Sequence, residues 1–166
     1  GETLVGIYSN AVSLSEAVML FGSSLALVQY SSLSNNEDDS SSKQFSWKMS
    51  KINGIFTALA LLVLCLLPSE VYSFVFGKGF EEISQAIRIL SIGVLPLSIA
   101  SNFTQYFYAK GNFKISTFAS IIGLVITIIA GLILIPKYQL QGAALAATLS
   151  YFTTFAIEFY FFVFRK

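Results

Sequence analysis

Residues 115–136 read ISTFASIIGLVITIIAGLILIP, a run with no charged side chain between Lys114 and Lys137. A helix needs ~20 apolar residues to cross a bilayer, and this stretch supplies them. A charge near the bilayer centre costs about 3 kcal/mol or more, so charge-free intervals locate spans. Four further intervals of that kind lie between Glu16 and Glu37, Lys51 and Glu70, Arg88 and Lys110, and Lys137 and Glu158. The first helix is expected to begin near Leu4, and the last to run through Phe164 to Arg165 and Lys166. The fold class predicted is all-α, a polytopic bundle of five transmembrane helices over 1–33, 52–76, 81–110, 113–135 and 140–166. A cytoplasmic loop is predicted over 34–51.

Composition agrees with the spans. The chain has 166 residues, 55% of them hydrophobic and only 11% charged, with a mean hydropathy of +0.72. Soluble domains run near a quarter charged, and a chain this short cannot hide so much apolar surface from water. Histidine is absent and Cys65 is the one cysteine. That removes Ser/His/Asp and Cys/His catalysis, His-ligated zinc and an internal disulfide, so neither an enzyme nor a metal or cofactor site is expected. A net charge of +1 gives no field for nucleic acid. The chain opens on Gly1 without a cleavable signal pattern, and reads as a piece of a longer protein.

The joints carry their own signals. Ser34 to Ser42 (SNNEDDSSS) is polar and serine-rich and predicts a mobile loop; 44–52, with Trp47 among three lysines, predicts an interfacial lead-in. Pro68 closes the second span, and Gly77, Lys78 and Gly79 precede Glu81 and Glu82 at the expected start of the third. Tight turns are predicted at Lys110–Asn112 and at 136–139. Alternating sides places Lys43, Lys48, Lys51, Lys110, Lys114, Arg165 and Lys166 together, against Lys78, Arg88 and Lys137. That imbalance puts the serine-rich loop and the C-terminus in the cytoplasm.

Polar residues that collect on one side of a membrane helix must face protein or water. In the third span Arg88, Ser91, Ser98, Asn102 and Gln105 recur at helical spacing, and Pro96 removes a backbone hydrogen bond in mid-helix, predicting a hinge. These residues either bond neighbouring helices or line a path. Arg88 either holds an anion with its guanidinium fork or pairs with Glu70, Glu81 or Glu82. In the first span Ser9, Ser13, Glu16 and Ser23 or Ser24 form a second stripe, with Glu16 either a proton or cation site or a structural acid. Ala143, Ala147, Ser150, Thr154 and Glu158 share a narrow face that predicts close packing, as do Gly123, Thr127 and Gly131. The FGKGF run lacks the spacing of a phosphate loop, and the Asn102 glycosylation triplet falls within a span.

VGIYSNA at 5–11 with Leu14, Ser15 and Glu16, FGKGFEE at 76–82, ILS at 89–91 and IPKYQLQGAALAATLS at 135–150 together resemble polysaccharide flippases. These are the Wzx-type O-antigen/exopolysaccharide transporters of the multidrug/oligosaccharidyl-lipid/polysaccharide exporter superfamily, and the likeness is to their C-terminal half. The resemblance covers nearly the whole chain. The likeness implies the last five of twelve helices, with one helix of this bundle and the whole N-terminal half belonging to the missing part of the same protein. It departs where the family commonly has Asn before Ile-Pro, here Thr127 and Gly131, and Gly after Tyr138, here Gln139.

What the resemblance implies is a flippase of the cytoplasmic (inner) membrane, moving polyprenyl-pyrophosphate-linked oligosaccharide between leaflets by alternating access, with substrate and membrane lipid as its partners. Arg88, Ser98, Asn102 and Gln105 are then the substrate-binding residues, Glu16 the ion-coupling residue and Pro96 the hinge. A cation-coupled multidrug exporter and a non-transporting membrane scaffold are the alternatives. This stretch alone is not expected to transport.

Overall fold

The computed structural model describes residues 2–36, 38–77 and 83–164. Among these there is no strand. Six helices follow one another: α1 (Glu2–Ala17), α2 (Met19–Ser34), α3 (Asp39–Leu66), α4 (Ser69–Phe76), α5 (Ile83–Ala109) and α6 (Phe113–Phe164). Three of them, α3, α5 and α6, are long and apolar enough to cross a membrane, and α1 with α2 makes a fourth as a pair bent by 40°. The chain is an all-α polytopic membrane bundle.

The 52 residues of α6 do not form one rod. Gln139 has φ 47° and ψ −118°, and there the helix folds back on itself. Gly142 lies against the Leu134 backbone so closely that any β-carbon would collide with it. Further along, the Ser150 hydroxyl donates to the Gly123 carbonyl at 2.8 Å. The arms 113–138 and 140–164 are therefore antiparallel neighbours, zipped by the small residues whose spacing predicted close packing.

α5 is the centre of the bundle and touches every other helix. One end of it buries Ile83, Ala86, Ile87 and Leu90 against Ile7 and Ala11 of α1, Tyr72 of α4, and Leu140 and Ala144 of α6. The other end buries Phe103, Tyr106 and Phe107 with Leu33, Ile115 and Phe162. Phe103 and Phe162 stack at 4.4 Å between ring centroids. By contrast Phe56, Leu62, Leu66, Leu124, Leu132 and Ile133 are exposed, a surface suited to hydrocarbon.

Three boundaries differ from the expected ones. The first span is broken at Val18 into α1 and α2. Much of the expected loop over 34–51 is helix, since α3 starts at Asp39. Asp38 caps it, accepting from the Ser40 and Ser41 amides at 3.1 and 3.2 Å. Ser42 and Ser46 turn their hydroxyls onto their own helix, at 2.7 Å to Asp38 O and 2.9 Å to Ser42 O. Ser42, Ser46, Ser50 and Asn53 then form a buried seam. Polarity alone suggested a loop, whereas spacing of four puts the small residues on one face. The second span ends at Leu66, and α4 is a separate short helix beyond Pro68. Lys78, Gly79, Glu81, Glu82, Arg165 and Lys166 lie outside the described residues.

Candidate functional site

Ser98 and Asn102 of α5 belong to a buried polar network that joins three helices. Ser98 is 1% exposed and Asn102 0%. Asn53 of α3 donates from Nδ2 to the Ser98 carbonyl at 2.8 Å, and its Oδ1 accepts from the Ser98 hydroxyl at 3.1 Å. Thr57 Oγ1 meets Ser98 Oγ at 2.6 Å. Gln29 of α2 donates to Ser46 Oγ at 3.0 Å and to the Asn102 carbonyl at 2.9 Å. Gly22 makes room for the group, because a β-carbon there would strike the Asn53 amide. Ser98 and Asn102, expected along a substrate path, thus face α2 and α3 rather than open space. The Oδ1 of Asn102 and Oε1 of Gln29 remain buried without a partner.

Arg88 and Gln105 sit apart from this network. Arg88 is exposed on the outer side of α5 and Gln105 is partly buried. Pro96 is buried, and α5 stays helical through it.

Glu16 opens on a different face. The α1–α2 bend leaves a groove of about 530 Å³ lined by Ser13, Glu16, Met19, Leu20, Ser23 and Leu97. The Glu16 carboxylate accepts a hydrogen bond from the Tyr151 hydroxyl of α6 at 2.5 Å. Tyr8, from the same helix as Glu16, reaches the Ala143 carbonyl at 3.5 Å. Leu97, on the groove, is nine residues from Arg88, which turns a helix by about two and a half revolutions. Arg88 and Glu16 therefore lie on opposite sides of α5.

Sequence reasoning missed Tyr151, Asn53 and Gln29. Asn53 fell at the edge of a predicted span, and Gln29 and Tyr151 look unremarkable until the helices that face them are known. Among the described residues no cluster of acidic or cysteine side chains is arranged to hold a metal ion.

A membrane helix bundle with buried polar contacts and an open groove bordered by a carboxylate is the architecture of a polytopic membrane protein rather than of a soluble domain. A family model, lipid II flippase MurJ, matches residues 2–166, and the chain belongs to that flippase family. It is 30% identical over 165 residues to the capsular polysaccharide biosynthesis protein CapF of Staphylococcus aureus, covering 98% of this chain and 42% of CapF. An uncharacterized membrane protein of Methanocaldococcus jannaschii is 28% identical over 153 residues, 92% of this chain and 36% of that protein. The chain thus spans less than half the length of these relatives. No solved structure matches it.

Proposed function

We propose that this chain is the C-terminal part of a flippase that carries polyprenyl-pyrophosphate-linked oligosaccharide across the cytoplasmic membrane by alternating access, for surface polysaccharide synthesis. The observation that carries this reading is the flippase-family match over residues 2–166. The likeness to CapF along 98% of the chain favours a capsular type of repeat unit as cargo.

Arg88 is the residue proposed to meet the pyrophosphate. It is exposed on α5, and guanidinium offers paired donors to phosphate oxygens. Gln105 is proposed as a hydrogen-bond donor to sugar. Ser98 and Asn102 serve here by holding α5 in place through Asn53 and Gln29. Glu16 is proposed as the ion-coupling acid, because it borders the open groove and its bond to Tyr151 ties the α1–α2 bend to α6. Pro96 leaves the Ile92 carbonyl without its usual helical partner and is the proposed point of flexure in α5. The C-terminus is proposed to face the cytoplasm.

The family description favours a second cargo, lipid II for the cell wall. Complementation separates the two. The full-length protein is expressed in a strain lacking its polysaccharide flippase and in one depleted of its lipid II flippase. Wild type is expected to restore surface polysaccharide in the first strain and clear its lipid-linked intermediate, with Arg88→Ala failing at equal expression. Rescue of the second strain alone would replace the oligosaccharide reading with lipid II. Drug resistance without either rescue would point to the exporter branch of the superfamily.

A further inference from the structure

Glu158 is a carboxyl group that the proposed transport mechanism leaves unused. It lies on the second arm of α6 and is 1% exposed. Thr104 of α5 places its hydroxyl 2.9 Å from both carboxyl oxygens. Ser116, on the first arm, stands beside the same carboxyl, with its hydroxyl buried. The side chains that act on this carboxyl are the hydroxyls of Ser116 and Thr104, with no charged group among them. Neighbouring turns are aromatic, with Phe103, Phe155, Phe159 and Phe162 stacked into one cluster.

The hydrogen count distinguishes two states of this arrangement, Thr104 donating to a carboxylate or a carboxylic acid donating to Thr104. Thr104 has one hydroxyl proton and already has an acceptor in its own helix, the Ala100 carbonyl at 3.3 Å. If Thr104 donates there, its oxygen is free to accept, and a protonated Glu158 supplies the donor. A carboxylate would instead seal a charge, held only by hydroxyl donors, between three helical segments, an unfavourable burial. Ser116 then offers its hydroxyl to the remaining carboxyl oxygen with a small rotation.

We propose that Glu158 is a proton-binding site of the closed bundle, a neutral carboxylic acid clasped by Thr104 of α5 and Ser116 of α6. Opening the seam between α5 and the arms of α6 to water breaks the carboxyl O–H bond, and the proton passes to water, leaving a carboxylate. This site is separate from Glu16 and stands whether or not the substrate reading holds.

Infrared difference spectroscopy of the purified full-length protein in lipid tests it, because a neutral acid shows a carbonyl stretch that a carboxylate lacks. Wild type minus Glu158→Gln at neutral pH is expected to show that band, sensitive to deuterium oxide. Carboxylate stretches in its place would overturn the proposal. Thr104→Val is expected to shift the band by removing its hydrogen-bond partner, and an unmoved band would count against the clasp. Loss of the band in sodium chloride but not in choline chloride would replace the proton with a sodium ion.

Discussion

Gly93 of α5 lies directly against Thr148 of α6: a β-carbon built at Gly93 would stand 2.8 Å from the Thr148 Cα. The Thr148 hydroxyl donates to the Ile89 carbonyl at 3.0 Å across the same contact. This approach lets α5 and the second arm of α6 meet backbone to backbone. Gly93→Val should force them apart and cost about 1–3 kcal/mol. The midpoint of unfolding in a denaturing detergent titration of the full-length protein reads this directly. Gly6→Ala is the control, since nothing lies within 4 Å of a β-carbon there. An unchanged midpoint for Gly93→Val would mean that the two helices are not this close.

Asn53 holds α3 to α5 through bonds of 2.8 and 3.1 Å to Ser98. Removing it strips these two bonds, and the longer ones to Ser101 and Thr57 at 3.4 Å, from a buried seam, so Asn53→Ala is expected to lower stability by about 1–2 kcal/mol. A double-mutant cycle with Ser98→Ala should return a coupling of at least about 0.5 kcal/mol. Additive losses would show that the two side chains do not interact.

Gln139 takes φ 47° and ψ −118° at the fold-back of α6, a backbone state that glycine adopts without strain. Gln139→Gly is therefore expected to raise stability by about 1 kcal/mol, and Gln139→Val to lower it by at least as much. Glycine is also what the resembling flippases commonly carry after the tyrosine. Thermal unfolding of the two variants beside wild type measures both signs.

Arg88 is exposed, so Arg88→Ala should leave the unfolding midpoint within about 0.5 kcal/mol of wild type. Transport should nevertheless fall roughly tenfold or more if the guanidinium meets a pyrophosphate. A stability loss that accounts for the whole transport defect would assign Arg88 to structure instead.

Ser40 is exposed at the start of α3. With Cys65→Ser as background, Ser40→Cys is expected to react with a membrane-impermeant thiol reagent only after the cells are opened. Labelling of intact cells would invert the proposed topology.

Charge-free intervals and small-residue spacing made the membrane class, a turn at residues 136–139 and the close-packing faces that carry Gly123 and Ser150 legible in the sequence. Each depends on one helix and its solvent, because hydrocarbon penalises a charge wherever it falls. The sequence also picked out Ser98, Asn102, Arg88 and Glu16 as polar groups that lipid would not tolerate. What each of them faces was decided only by the packing of α2, α3 and α6 around α5. Asn53, set 45 residues from Ser98 in the chain, closes that residue off, and Tyr151, 135 residues from Glu16, reaches back to bond it. Periodicity assigns a residue to a side of its own helix, whereas the partner on that side comes from another part of the chain. The α3 start at Asp39 carries the same lesson, since a serine run reads as loop until α2 and α5 supply the surface on which it packs.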